Sequence, residues 1–129
     1  MGLAPYGTPR LLDDLGCLVK LDRPLFELGL DYFLHDKEGV EMTWDEGSPT
    51  VGRIYSDRLC DLLGPARERG APLEALHKDV AASLQVLLEM AYLHLVKTLW
   101  ERTGIPRLCL AGGVALNRSE EHTSELQSH

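Results

Sequence analysis

Leu108-Cys109-Leu110-Ala111-Gly112-Gly113-Val114-Ala115-Leu116-Asn117 is the stretch on which the reading of this chain turns. A short apolar run ends in two adjacent glycines, and an apolar segment with a lone Asn follows. That order predicts a buried strand over 107–110, a tight turn at Gly112-Gly113 and a helix beginning beyond it. Glycine reaches φ > 0 and carries no Cβ, so a ligand can lie directly against the main chain. A helix N-terminus past the turn would offer free N–H groups and the positive end of the helix dipole, which suit phosphate. Asn117 both donates and accepts, so it can hold a ribose, a phosphate or a base edge. The same spelling fits an ordinary strand-to-helix turn, and Gly-Gly alone does not separate the two.

Immediately upstream lies the strongest periodic signal. From His77 to Arg102, Val80, Leu84, Leu87, Leu88, Ala91, Leu95 and Leu99 fall at helical spacing. They predict one apolar stripe on a helix of about seven turns at 3.6 residues per turn. Lys78, Gln85, Glu89, Lys97 and Glu101 lie largely off that stripe. Gly104 and then Pro106 end the helix and launch the strand. Helix, connector, buried strand and glycine turn together predict the α/β class.

The earlier segments are shorter. Met1 to Gly7 holds two glycines and a proline among apolar residues, which reads as a buried loop with Met1 internal to a longer chain. Leu11, Leu12 and Leu15 predict a short helix stopped at Gly16. Leu18–Leu21 and Leu25–Leu28 read as strands joined through Asp22-Arg23-Pro24, and Leu30–His35 as a third. Residues 36–50 read as a polar surface loop whose carboxylates are solvated rather than catalytic. Ile54, Leu59, Leu62 and Leu63 predict a helix stopped by Gly64-Pro65, with a polar connector following over 67–70.

The totals bound the function. At 129 residues the chain is one domain or part of one, and its 44% hydrophobic content can build a core. No signal-peptide layout or apolar run of transmembrane length is read, so a soluble, cytoplasmic protein with no membrane partner is expected. Cys17, Cys60 and Cys109 lack paired spacing and read as reduced, partly buried thiols. A net charge of −7 disfavours a nucleic-acid surface but leaves room for one small anion at a local site. His35, His77 and His94 have no metal-ligand spacing and read as half-buried polar positions.

After Asn117 the character changes. Only Leu126 is apolar between Arg118 and His129, so the expected helix loses its buried face. This peptide resembles the translation of a sequencing-adapter oligonucleotide, and residues 118–129 are expected to be non-native. Setting Arg118 against Glu120, Glu121 and Glu125 takes the charge of the body from −7 to −5.

Four stretches carry a family resemblance: Met1–Gly7 (M-G-L-A-P-Y-G), Leu62–Arg67 (L-L-G-P-A-R), His77–Gln85 (H-K-D-V-A-A-S-L-Q) and Leu108–Asn117. In this order they resemble the NodU/CmcH-type carbamoyltransferases over essentially all of residues 1–117. The resemblance implies part of an N-terminal nucleotide-binding domain of the actin/sugar-kinase/Hsp70 superfamily (an RNase H-like fold). The rest of that domain and a YrdC-like C-terminal domain would be the missing partners. It implies ATP-dependent activation of carbamoyl phosphate to carbamoyl-adenylate, then transfer to a hydroxyl of a small-molecule acceptor in a biosynthetic process. Gly112, Gly113, Val114 and Asn117 match the family's nucleotide site, with Val114 expected behind the glycines. The family's iron or similar metal is held by ligands outside this chain, so the piece alone is expected to be inactive. Two alternatives stand beside this one. A kinase or a protein of the tRNA threonylcarbamoyl-transfer type would use the same glycine turn, and a non-catalytic helical module could be built on 77–102.

Overall fold

A single helix, α3 (Ala75–Thr103), spans 29 residues and organises the chain, as the periodicity predicts. At about 1.5 Å per residue it is about 43 Å long. It ends at Gly104, which takes a left-handed φ of 66° and donates its N–H to the Trp100 carbonyl at 2.8 Å. The structure, a computed structural model, describes residues 2–116.

Packing on α3 departs from the predicted stripe. Asp79, Ala82, Ser83 and Leu87 are its buried residues, at i, i+3, i+4 and i+8, whereas Leu84 and Leu99 are 45% and 49% exposed. Met90, Leu93 and Trp100 are exposed as well. The helix is apolar on more than one side, so an apolar count singles out no face. The face is selected instead by Asp79 and Ser83, two polar residues that such a count leaves out. By length, and with an 18-residue window of mean hydropathy 1.3, α3 is also apolar enough to cross a membrane, which the sequence pattern did not suggest. A buried Asp and Ser on its packed side would be expensive in hydrocarbon.

The N-terminal third lies on the first half of α3. A 3₁₀ turn at Ala4–Tyr6 and the short helix α1 (Leu12–Leu15) both pack there. Leu15, Leu18 and Leu87 form the core, with Leu12, Val19, Tyr32, Phe33, Leu59 and Leu63 around them. The two predicted strands are present in shortened form: β1 (Val19–Lys20) pairs antiparallel with β2 (Glu27–Leu28). The third is not a strand. Leu30–Tyr32 makes a 3₁₀ turn, after which Phe33 bridges Tyr55.

The segment read as a featureless loop is a hairpin. β3 (Met42–Asp45) pairs antiparallel with β4 (Ser48–Val51) in the register Met42↔Val51 and Trp44↔Pro49. Glu46 and Gly47 both take positive φ, 51° and 82°, which is the two-residue turn matching the twist of paired strands. Helix α2 (Asp57–Leu63) follows as predicted and stops at Gly64, whose φ is 91°.

The buried strand expected at 107–110 is not formed. Residues 104–111 have no regular structure, and Leu108 and Leu110 are 40% and 45% exposed. A strand needs a neighbour for its N–H and C=O groups, and the described sheets are two antiparallel pairs elsewhere in the chain. The architecture is thus a mixed one of helices with small sheets, consistent with the α/β class.

Candidate functional site

The glycine turn sits at the end of the irregular segment after α3. Gly112 takes φ 96°, a conformation that glycine adopts without strain and that side-chain-bearing residues rarely do. Its carbonyl accepts the Ala115 N–H at 3.1 Å, closing a 3₁₀ turn over Val114–Leu116. One such turn is what the described residues contain of the expected helix. Among the described residues the turn thus offers open backbone, and one 3₁₀ turn beyond it. A Cβ built on Gly112 or Gly113 would meet nothing within 4 Å, so the main chain here is accessible from outside. Val114 is 51% exposed. Asn117, like 118–129, lies outside the described residues.

A second junction, which sequence reasoning missed, joins two of the quoted motifs. Asp79, on the first turns of α3, accepts the Thr8 backbone N–H at 2.9 Å and the Thr8 hydroxyl at 3.2 Å. Its other oxygen pairs with the Arg10 guanidinium. One turn on, Ser83 Oγ donates to the Asp79 carbonyl at 2.6 Å and accepts the Leu11 N–H at 3.1 Å. The Thr8 N–H, with Arg10 behind it, holds the Asp79 carboxyl below the ordinary range, against the opposing effect of burial. Gly7 completes the clasp by lying directly on the Lys78 backbone. The signal was available as an Asp and a Ser four residues apart within an apolar helix.

The histidines do local work. His77 Nδ1 accepts the Glu74 N–H at 2.9 Å, the return half of a capping box at the start of α3. His94 Nε2 lies 2.6 Å from the Arg23 carbonyl. The cysteines are free thiols, Cys17 and Cys60 half-buried and Cys109 exposed. Among the described residues no three His, Cys, Asp or Glu side chains gather where they could hold a metal ion.

With the motif stretches placed, comparison with known proteins decides the family. The family described as Carbamoyltransferase N-terminus matches residues 1–123. The chain belongs to the carbamoyltransferase N-terminal family. It is 39% identical over 117 residues to the nodulation protein NolNO of Sinorhizobium fredii and 36% identical over 117 residues to NolO of Bradyrhizobium diazoefficiens. It is also 40% identical over 120 residues to an uncharacterised protein of Synechocystis. Each of these alignments covers 91% of this chain but only 14%, 18% and 17% of NolNO, NolO and the Synechocystis protein, respectively. The chain thus spans less than a fifth of the length of these relatives. No solved structure matches it.

Proposed function

We propose that this chain is part of the nucleotide-binding domain of an ATP-dependent O-carbamoyltransferase of the actin/sugar-kinase/Hsp70 superfamily. The whole enzyme activates carbamoyl phosphate as carbamoyl-adenylate and passes the carbamoyl group to a hydroxyl of a small-molecule acceptor. The observation that carries this reading is the family match over residues 1–123. The open backbone at the glycine turn supports the nucleotide role.

In that enzyme Gly112 and Gly113 form a wall with no side chain, against which the nucleotide phosphates lie. Their N–H groups are donors of the kind that stabilise charge developing on a phosphoryl oxygen. Asn117 orients the nucleotide through its amide. A metal ion, when bound, would neutralise phosphate charge, and its ligands belong to parts of the enzyme outside this chain. The Asp79 clasp acts at a distance from this chemistry by fixing the N-terminal loop on α3. The enzyme works in the cytoplasm, completed by the rest of its first domain and a YrdC-like domain.

The test is pyrophosphate release from ATP by the full-length enzyme. Release that requires carbamoyl phosphate is the expected result. Its absence, with the protein folded, would overturn the reading. The 129-residue chain alone is expected to release none.

A further inference from the structure

A cleft of about 250 Å³ lies between α2 and the start of α3. Leu63, Leu76 and Val80 give it an apolar floor, while Arg67, His77 and Tyr55 stand among its lining residues. The chain carries 20 acidic residues and a net charge of −7, yet none of the residues lining this cleft is acidic. Two of the quoted motif stretches, Leu62–Arg67 and His77–Gln85, meet here, and the carbamoyl-transfer reading uses neither.

Arg67 and His77 both line the cleft. Arg67 spends one guanidinium N–H on the Ala71 carbonyl, and its remaining N–H groups have no partner among the described residues. Because His77 Nδ1 accepts the Glu74 N–H, the ring proton of neutral His77 sits on Nε2, where it is free to donate. A planar guanidinium matches the two oxygens of a carboxylate or phosphate. Small-molecule sites typically combine an apolar lining with a few placed polar groups of this kind.

We propose that this cleft binds a small molecule with an apolar body and one anionic oxyacid group, a carboxylate or a phosphate monoester. The apolar body lies on Leu63, Leu76 and Val80, and the anion faces Arg67 and the Nε2–H of His77. The site is separate from the glycine turn and does not depend on the nucleotide assignment.

The test is a methyl-detected NMR titration of the full-length protein with benzoate, phenyl phosphate, benzyl alcohol and inorganic phosphate. Benzoate or phenyl phosphate should shift the Leu63, Leu76 and Val80 methyl signals saturably, and whichever binds tighter names the oxyacid. Benzyl alcohol, which lacks the charge, and inorganic phosphate, which lacks the body, should each bind at least about tenfold more weakly. Arg67→Gln should weaken the anion by about tenfold or more, and Arg67→Lys should restore part of it. No saturable shift from either anion would overturn the proposal. So would equal binding of the anionic and neutral probes, a comparison on the unaltered chain that needs no variant.

Discussion

Gly7 lies on the backbone of Lys78 so closely that a Cβ at position 7 would fall inside the van der Waals sphere of the Lys78 carbonyl oxygen. The two residues are 71 positions apart, and their contact seats the N-terminal loop on α3. Backbone against backbone cannot yield as a flexible side chain can. Gly7→Ala should therefore destabilise the chain by about 1–3 kcal/mol, the usual cost of forcing extra atoms into a packed site. Gly2→Ala is the control, since a Cβ there meets nothing within 4 Å. Urea unfolding of both variants checks this, and equal midpoints would remove Gly7 from the clasp.

Ser83, with no exposed surface, serves two backbone groups at once, accepting from Leu11 N–H and donating to the Asp79 carbonyl. Ser83→Ala leaves the partly buried Leu11 N–H without its acceptor. That should cost about 1–3 kcal/mol, the range for an unsatisfied buried polar group. A variant with unchanged stability would show that water replaces the hydroxyl.

Acid should act on the clasp through Asp79. Its carboxyl is held below the ordinary range by the Thr8 N–H and then Arg10, so the folded chain takes up that proton less readily than the unfolded chain. The stabilisation is fully present above the unfolded value of about 3.9, and it is lost as pH falls through the lower folded value. Asp79→Asn should lower Tm at pH 7 and flatten the further loss of Tm below about pH 4. Parallel acid profiles for the two proteins would contradict this.

The two faces of α3 should respond differently to truncation. Leu87 is 4% exposed within the Leu15–Leu18 core, so Leu87→Ala should cost about 2–5 kcal/mol. Leu99, half exposed, should cost less than about 0.5 kcal/mol in this chain. In the full-length enzyme, where more protein is available to cover α3, Leu99→Ala is expected to cost more. Thermal melts of the two variants in both contexts measure the difference.

Local signals were legible in the sequence where one residue type decides the outcome. Gly64 and Gly104 stop their helices at positive φ, and the long α3 was readable from its length and spacing alone. What failed depended on partners. The stretch at 107–110 carries the right residues for a strand but has no neighbour to pair with among the described residues. The hairpin at 42–51 was hidden by its polar turn, although Glu46-Gly47 between alternating residues is a two-residue turn signal. The buried face of α3 escaped because an apolar stripe takes no account of Asp79 and Ser83, whose hydrogen bonds the loop from Thr8 to Leu11 supplies. At the glycine turn the sequence foretold the backbone conformation alone: Gly112 takes the positive φ that the Gly-Gly spelling fits.

The glycine turn gives the sharpest test of the proposed function, because its two glycines differ. Gly112 sits at φ 96°, so any side chain there is strained whatever space surrounds it. Gly113 has no such conformation, and a Cβ on it meets nothing within 4 Å, so a substitution there leaves the backbone undisturbed. Gly113→Asp in the full-length enzyme should keep the melting temperature without ligand and yet weaken ATP binding severely. The added carboxylate would occupy the approach to the phosphates and repel them. Gly112→Ala should lower stability by about 1–2 kcal/mol through strain alone. Asn117→Ala should cost about 1–3 kcal/mol in ATP affinity, as for a lost polar partner in a desolvated site. An ordinary structural turn predicts that ATP affinity stays the same in all three variants. Titrating ATP into each, beside a melt without ligand, separates the two, and unchanged affinity in Gly113→Asp would end the nucleotide assignment.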